Sequence, residues 1–161
     1  MHPPTLTRRF SLVLALAGCI LATPASQAET PPLRGQLLYV PVYSEVPFGD
    51  KGLNLNLTAT LSLRNTDRAQ AIAVKRVDYY GESGALIRSY LKQPLTLKPM
   101  AAADIVVKES DRSGGISASF LVEWDSAAPV SPPMVEAVMV NSTYNQGIAF
   151  SSPSRTLEER R

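Results

Sequence analysis

From Leu53 to Arg64 the chain alternates without a fault. Leu53, Leu55, Leu57, Ala59, Leu61 and Leu63 are apolar, and Asn54, Asn56, Thr58, Thr60, Ser62 and Arg64 between them are polar. Period two sustained over twelve positions fits a β-strand with one face on a core and the other in water. At ~3.3 Å per residue such a strand is roughly 36–40 Å long, so it is expected to bend or bulge inside a compact domain. A slip of one residue would turn every leucine to solvent, so the pattern itself fixes the register.

The rest of the mature chain repeats this idiom in shorter pieces. Gly35 to Tyr43 is rich in β-formers, and Pro41, which cannot donate to a ladder, marks an edge or a bulge. Ala71 to Tyr80 is a strand whose apolar parity changes between Val74 and Val77, which predicts a bulge near Lys75-Arg76. Gly81-Glu82-Ser83-Gly84 predicts a hairpin loop into Ala85–Leu91. Short strands are expected around Leu95–Leu97, Ile105–Val107, Ser117–Trp124, Val135–Val140 and Gln146–Ser151. Ser126–Pro133 is expected to be a proline-rich loop and Ser152–Arg161 a polar tail. No stretch of twelve or more mature residues carries helical apolar spacing. The expected fold is all-β, an immunoglobulin-like β-sandwich of about seven to nine strands, with a small barrel as the alternative.

Residues 1–28 read as an export signal. Arg8 and Arg9 precede the apolar run Phe10–Ala22, which is shorter than the about 20 residues a spanning helix needs. Two cleavage readings stand side by side. Ser26-Gln27-Ala28 suits release at Glu29, whereas Leu16-Ala17-Gly18-Cys19 matches a bacterial lipobox in which Cys19 would carry a lipid anchor. Residues 29–34 then form a stiff linker with Pro31 and Pro32, residues 35–152 the domain, and 153–161 the tail. Of the 16 basic residues, Arg8 and Arg9 lie before Glu29, so 14 remain beside 14 acidic ones and the released chain is neutral. Its basic residues are scattered, which argues against nucleic acid as a partner.

The single histidine, His2, lies in the export signal. Histidine-dependent triads and histidine–cysteine zinc sites are therefore excluded, and no cofactor motif is present. Glu109 and Asp111, with Asp104 nearby, are a weak cation candidate on a polar loop. Calcium asks for six to eight oxygens, so a solvated loop is the plainer reading. Glu123 and Glu136 are the pair to examine for a carboxylate hydrolase. In Asp78-Tyr79-Tyr80 adjacent side chains face opposite ways, so one tyrosine belongs in the core and one outside. Tyr43, Phe48, Asp78, Tyr79, Tyr80 and Tyr90 are candidates for an interaction patch. Trp124 is expected to anchor the core, and Asn65-Thr66-Asp67 to form a capped turn.

Several segments carry a family resemblance. They are Tyr39-Val40-Pro41-Val42-Tyr43-Ser44, Leu57 through Asp67, Val77-Asp78-Tyr79-Tyr80, Phe120-Leu121-Val122-Glu123-Trp124, Pro133 through Met139, and Gln146-Gly147-Ile148-Ala149-Phe150. From Gly35 to about Leu157 the chain resembles an uncharacterised bacterial envelope family, domain of unknown function 3124. The resemblance implies an exported or lipid-anchored envelope protein and supplies no activity, cofactor or catalytic residue. The expected role is non-catalytic: binding of an envelope protein or a ligand, with contact to a membrane only through Cys19 and the oligomeric state left open. A carboxylate- or metal-dependent hydrolase and a carrier of small apolar ligands are the alternatives.

Overall fold

The computed structural model describes residues 31–142 and 147–161. The export signal and Cys19 lie outside the described residues. In chain order the strands are β1 (Leu33–Val42), β2 (Glu45–Phe48), β3 (Leu53–Asn56), β4 (Thr58–Arg64), β5 (Ile72–Tyr80) and β6 (Leu86–Ser89). They continue with β7 (Leu95–Leu97), β8 (Ala102–Val107), β9 (Ala118–Val130), β10 (Met134–Asn141), β11 (Ile148–Pro153) and β12 (Arg155–Arg160). One sheet runs β12-β1-β9-β5-β6, with β7 also on β5. A second runs β11-β10-β4-β8, and β2-β3 stand apart as a two-stranded ribbon. Every pairing is antiparallel.

The two large sheets make a β-sandwich because each alternates along its strands. β4 turns Ala59, Leu61 and Leu63 inward, and β10 adds Val135, Ala137 and Met139. From the other sheet β9 sends Phe120, Val122 and Trp124, β1 sends Leu38, Val40 and Val42, and β5 sends Val74, Val77 and Tyr79. Trp124, Tyr79 and Phe120 are the bulkiest wholly buried side chains. The bulge expected near Lys75-Arg76 is present: β5 loses one step against β9 between Val74 and Arg76. Pro41 pairs with Ser119 on β9, beyond the point where β12 stops at Tyr39, so its other flank is an edge.

Four details differ from the sequence reading. The long alternating segment is two strands: β4 stays in the sandwich, while Leu53–Asn56 leaves it to pair with β2. Parity reports which way a side chain faces but not which strand lies beside it. Residues 126–130 are the end of β9 rather than a loop. Pro129 is tolerated because it falls where β1 and β9 lose register, between Gly35↔Asp125 and Leu33↔Val130. The strand order also begins at Leu33, inside the stretch read as linker, because the buried Leu33 pairs there. Finally, residues 155–160 are not a free tail. They form β12, which has no apolar alternation and is held by backbone pairing to β1. These elements raise the strand number among the described residues to twelve.

The hairpin connections of the sandwich lie at two ends. At one lie Leu33, the Asn65–Gln70 turn and residues 131–133. At the other lie the β2-β3 ribbon, the 81–85 turn and residues 108–117. β1 connects the ends, about 30 Å apart for ten residues of strand.

Candidate functional site

The end remote from Leu33 gathers most of the candidate residues. It is organised around Tyr79, whose ring packs on Phe120 at 5.1 Å and whose hydroxyl shares a 2.8 Å hydrogen bond with Ser44. Both residues are wholly buried. Ser44 links the two sheets: its carbonyl accepts from Leu57 N at 2.8 Å and its N–H donates to Gly115 O at 3.2 Å. Gly114 must be glycine here, because a Cβ would overlap the Tyr79 hydroxyl. Tyr80 faces the other way and is half-buried, which is the split that alternation requires.

Burial pushes the Tyr79 phenol above its usual 10.0, and the Ser44 hydrogen bond opposes that shift. The folded state therefore favours the protonated phenol. Its stabilising contribution is complete below about pH 10 and is lost as pH rises through the raised value. Tyr79 is expected to ionise only as the protein unfolds, so ultraviolet titration should show one tyrosinate missing until alkaline denaturation. Tyr79→Phe should cost about 1–3 kcal/mol by stranding the Ser44 hydroxyl. The missing phenol appearing in the folded state would refute this.

Around Tyr79 the polar groups satisfy one another. Arg112 donates from Nε at 2.9 Å and from Nη2 at 2.5 Å to the same Glu45 oxygen, and Glu45 is buried. Asp111 accepts from the Ser113 hydroxyl at 2.5 Å, from Ser113 N at 3.2 Å and from Arg88 at 3.2 Å. The Ser113 hydroxyl, then its N–H and the Arg88 charge, hold the Asp111 carboxyl below its usual range. Arg88 also lies 5.5 Å from the centre of the Tyr90 ring, which packs on Phe120 at 5.8 Å. Asp78 accepts from Ser89 at 2.7 Å on the outer face of β5.

The structure does not assemble the expected aromatic patch. Tyr79 is internal, Tyr43 packs edge-on against Phe150 at 5.7 Å, and Tyr90 is half-covered. Only Phe48 of that set stands well into solvent, at 47% exposure. It is paired across the ribbon with Leu53, which is 51% exposed. Val46 pairs with Leu55, so Val46, Phe48, Leu53 and Leu55 share one face of the ribbon. Val46 packs on the core, and the other three reach beyond it. Gly49 and Gly52, both in the left-handed region, close the tip at φ 62° and 66°. A shallow cleft of about 520 Å³ is lined by Phe48, Leu53, Asn54 and Leu55. Alternation alone puts Leu53 and Leu55 on the core face with Leu57, whereas their pairing with Phe48 and Val46 carries them into the ribbon.

The structure keeps the candidate carboxylates apart. Glu109 meets Asn141 at 3.4 Å and lines a cleft with Asn56, Lys108 and Ser110, whereas Asp111 is taken up by Arg88 and Ser113. Among the described residues no three His, Cys, Asp or Glu side chains are grouped to hold a metal ion. Glu123 and Glu136 alternate with core residues of different sheets and so face outward on opposite sides of the sandwich. A pair that sequence reading missed, Glu45 and Glu82, does line one cleft of about 460 Å³ with Arg112, Ser113 and Ile87. Arg112 neutralises Glu45 there, which leaves no free acid–base couple. No helix of the described residues is long and apolar enough to cross a membrane.

A family model described as protein of unknown function (DUF3124) matches residues 35–157. No curated protein matches the chain. Among solved structures, the one described as "Crystal Structure of Thermotoga maritima 1070" is similar at 14% identity and a TM-score of 0.45. The match covers 80% of this chain and 97% of the other. A likeness of that degree carries no argument about function.

Proposed function

We propose that this chain, which belongs to the DUF3124 family of proteins of unknown function, is a non-catalytic binding module of the cell envelope. It presents the tip of the β2-β3 ribbon to a partner protein. One observation carries the reading: Phe48 and Leu53 stay half in water at a glycine-closed tip, while the polar groups beside them are paired internally. An aromatic and a leucine together expose on the order of 200 Å². That is far below what a stable dimer of tips would need, and it suits an anchor entering a concave apolar pocket on another protein. The N-terminal reading supports this orientation. A chain exported by residues 1–28 and held near its N-terminus enters the sandwich at Leu33, so the tip faces away from the tether.

A photo-crosslinking residue placed at position 53 in intact cells tests the proposal, with position 68 at the opposite end as control. The expected result is an adduct with a different protein that forms at 53 and not at 68. It should disappear in Phe48→Ser while the melting temperature is unchanged. Equal labelling from both positions, or an adduct with the mass of two copies of this chain, would overturn it. Intact mass of the mature protein separates an acylated Cys19 from an N-terminus at Glu29.

A further inference from the structure

One polar row on the β11-β10-β4-β8 sheet is left unsatisfied. Ser62 lies between Leu61 and Leu63, which face the core, so its side chain points outward. The register sets Glu136 of β10 on one flank of Ser62 and Asp104 of β8 on the other. Opposed Cα atoms in antiparallel pairs are about 4.5 or 5.5 Å apart, so the two carboxylates rise from backbones about 10 Å apart with the hydroxyl between them. Ser62 is only 3% exposed, and its Oγ is buried without a hydrogen-bond partner. A buried hydroxyl in that state is costly and uncommon. Among the described residues the carboxylates of Asp104 and Glu136 are not paired either. Arg64, in the next row between Met134 and Ala102, is exposed and meets neither of them. The opposite face is built otherwise: there Glu123 holds Arg76 at 3.3 Å and Arg160 at 3.0 Å.

We propose that the Glu136–Ser62–Asp104 row binds a primary alkylammonium group, the head of a lysine side chain or of an aliphatic amine. An ammonium has three N–H donors and no acceptor, and the row offers three acceptors. Seated over Ser62, it donates once to each carboxylate and once to Oγ, which satisfies the buried hydroxyl. The hydroxyl is covered in the free protein, so the flanking carboxylate stems swing apart as the ammonium enters. A guanidinium suits the row less well, because its planar fork takes both oxygens of one carboxylate and passes over the hydroxyl. A hard metal ion also suits it less well. Calcium asks for six to eight oxygens, and the β4 backbone carbonyls that could add to the row are committed to the ladders on both sides. The adjacent row supplies a bed for the stem. Val138, Thr60 and Val106 lie two residues along from Glu136, Ser62 and Asp104, about 7 Å away, and Val106 is 52% exposed. Methylenes lie on such side chains as lysine stems do on apolar surface. The order of the two rows, acid–hydroxyl–acid beside Val–Thr–Val, matches a charged head on an apolar stem. No residue of the β2-β3 ribbon takes part.

The test uses protein purified from cells expressing the full chain, with backbone amide shifts followed by NMR at fixed ionic strength. The probes are n-pentylammonium, methylammonium, n-butylguanidinium, calcium and a short peptide with one lysine. n-Pentylammonium should give saturable shifts at residues 60–64, 102–106 and 134–138, with millimolar affinity. Methylammonium, which has the head without the stem, and n-butylguanidinium should bind several-fold more weakly. Asp104→Asn and Glu136→Gln should each weaken n-pentylammonium binding by about threefold to tenfold. Ser62→Ala should weaken it as well while the melting temperature stays the same or rises, because an unpartnered hydroxyl is removed. Arg64→Ala, which removes a competing charge, should strengthen it. Tighter binding of the lysine peptide names a polypeptide as the source and tighter binding of n-pentylammonium a free amine; the inference holds in both cases. Shifts that do not saturate overturn it. So does binding indifferent to Asp104→Asn and Glu136→Gln, or calcium or n-butylguanidinium taking the row more tightly than n-pentylammonium. A Ser62→Ala that lowers the melting temperature and leaves affinity untouched also overturns it, since the hydroxyl then serves the fold. Phe48→Ser should leave amine binding unchanged, so this site and the ribbon tip fail separately.

Discussion

Replacing Trp124 by alanine is expected to lower the stability of the domain by about 3–5 kcal/mol. Trp124 lies on β9, between β1 and β5 in the larger sheet, and none of its surface reaches solvent. The cost has two parts. The lost indole leaves a void that flanking strands cannot close, since their backbones are fixed by pairing on both sides of β9. The indole N–H also donates to Gln36 Oε1 at 3.3 Å, and the buried Gln36 passes the contact on to Thr156 of β12 at 3.3 Å. Trp124→Phe keeps much of the volume and loses the hydrogen bond, so its expected cost is about 1–3 kcal/mol. Urea unfolding measures both, and the intrinsic fluorescence of the single tryptophan reports the wild type directly. A Trp124→Ala cost below that of Trp124→Phe would show that cavity formation is not what the residue prevents.

What the sequence could announce was local facing. Leu57, Ala59, Leu61 and Leu63 sit on the core side as alternation requires. The parity change from Val74 to Val77 located a bulge that the register of β5 against β9 contains, and Trp124 is the buried anchor it was expected to be. What stayed hidden was partnership over long separations. Leu53 and Leu55 obey the same parity as Leu61, yet they belong to a ribbon, because their partners are Phe48 and Val46. β12 reads Arg-Thr-Leu-Glu-Glu-Arg and shows no apolar period. Its place depends on backbone hydrogen bonds to β1 and on Arg160 reaching Glu123 and Trp124 O. Glu45 is buried only because Arg112, 67 residues away, folds back onto it. In the same way the exposure of Phe48, on which the proposed tip depends, is a property of the ribbon's departure from the sandwich rather than of any motif near residue 48.

Asn65→Ala is expected to cost about 2–4 kcal/mol, because this side chain closes the end where Leu33 enters and leaves several backbone groups unpaired when removed. Asn65 is buried at the close of β4. Its amide nitrogen donates to the carbonyls of Gln70 at 2.9 Å, Lys98 at 3.0 Å and Leu97 at 3.2 Å, while its oxygen accepts from Asp67 N at 3.0 Å. It thereby ties β4 to the turn before β5 and to the end of β7. The same turn holds Met100 in the left-handed region at φ 60° through Met100 N donating to Asp67 O at 3.1 Å. Asp67 continues the network by accepting from the N–H groups of Ala69, Gln70 and Ser131, which hold its carboxyl below the usual range. Asn65→Asp separates the two halves of the argument. It keeps the acceptor for Asp67 N but turns a carboxylate toward three carbonyl oxygens. The new carboxyl should therefore have a raised value in the folded state. Its proton is bound more tightly folded than unfolded, so the variant's deficit relative to wild type should be largest at about pH 7 and shrink toward about pH 4. Wild-type Asp67 works in the opposite sense: its contribution is present above the ordinary aspartate range and is lost as pH falls through the lowered value. That loss is common to both proteins and cancels in the comparison. Guanidinium unfolding of wild type, Asn65→Ala and Asn65→Asp at both pH values measures the difference, and a deficit of Asn65→Asp that does not change with pH would mean that the three carbonyls are not what Asn65 is there to satisfy.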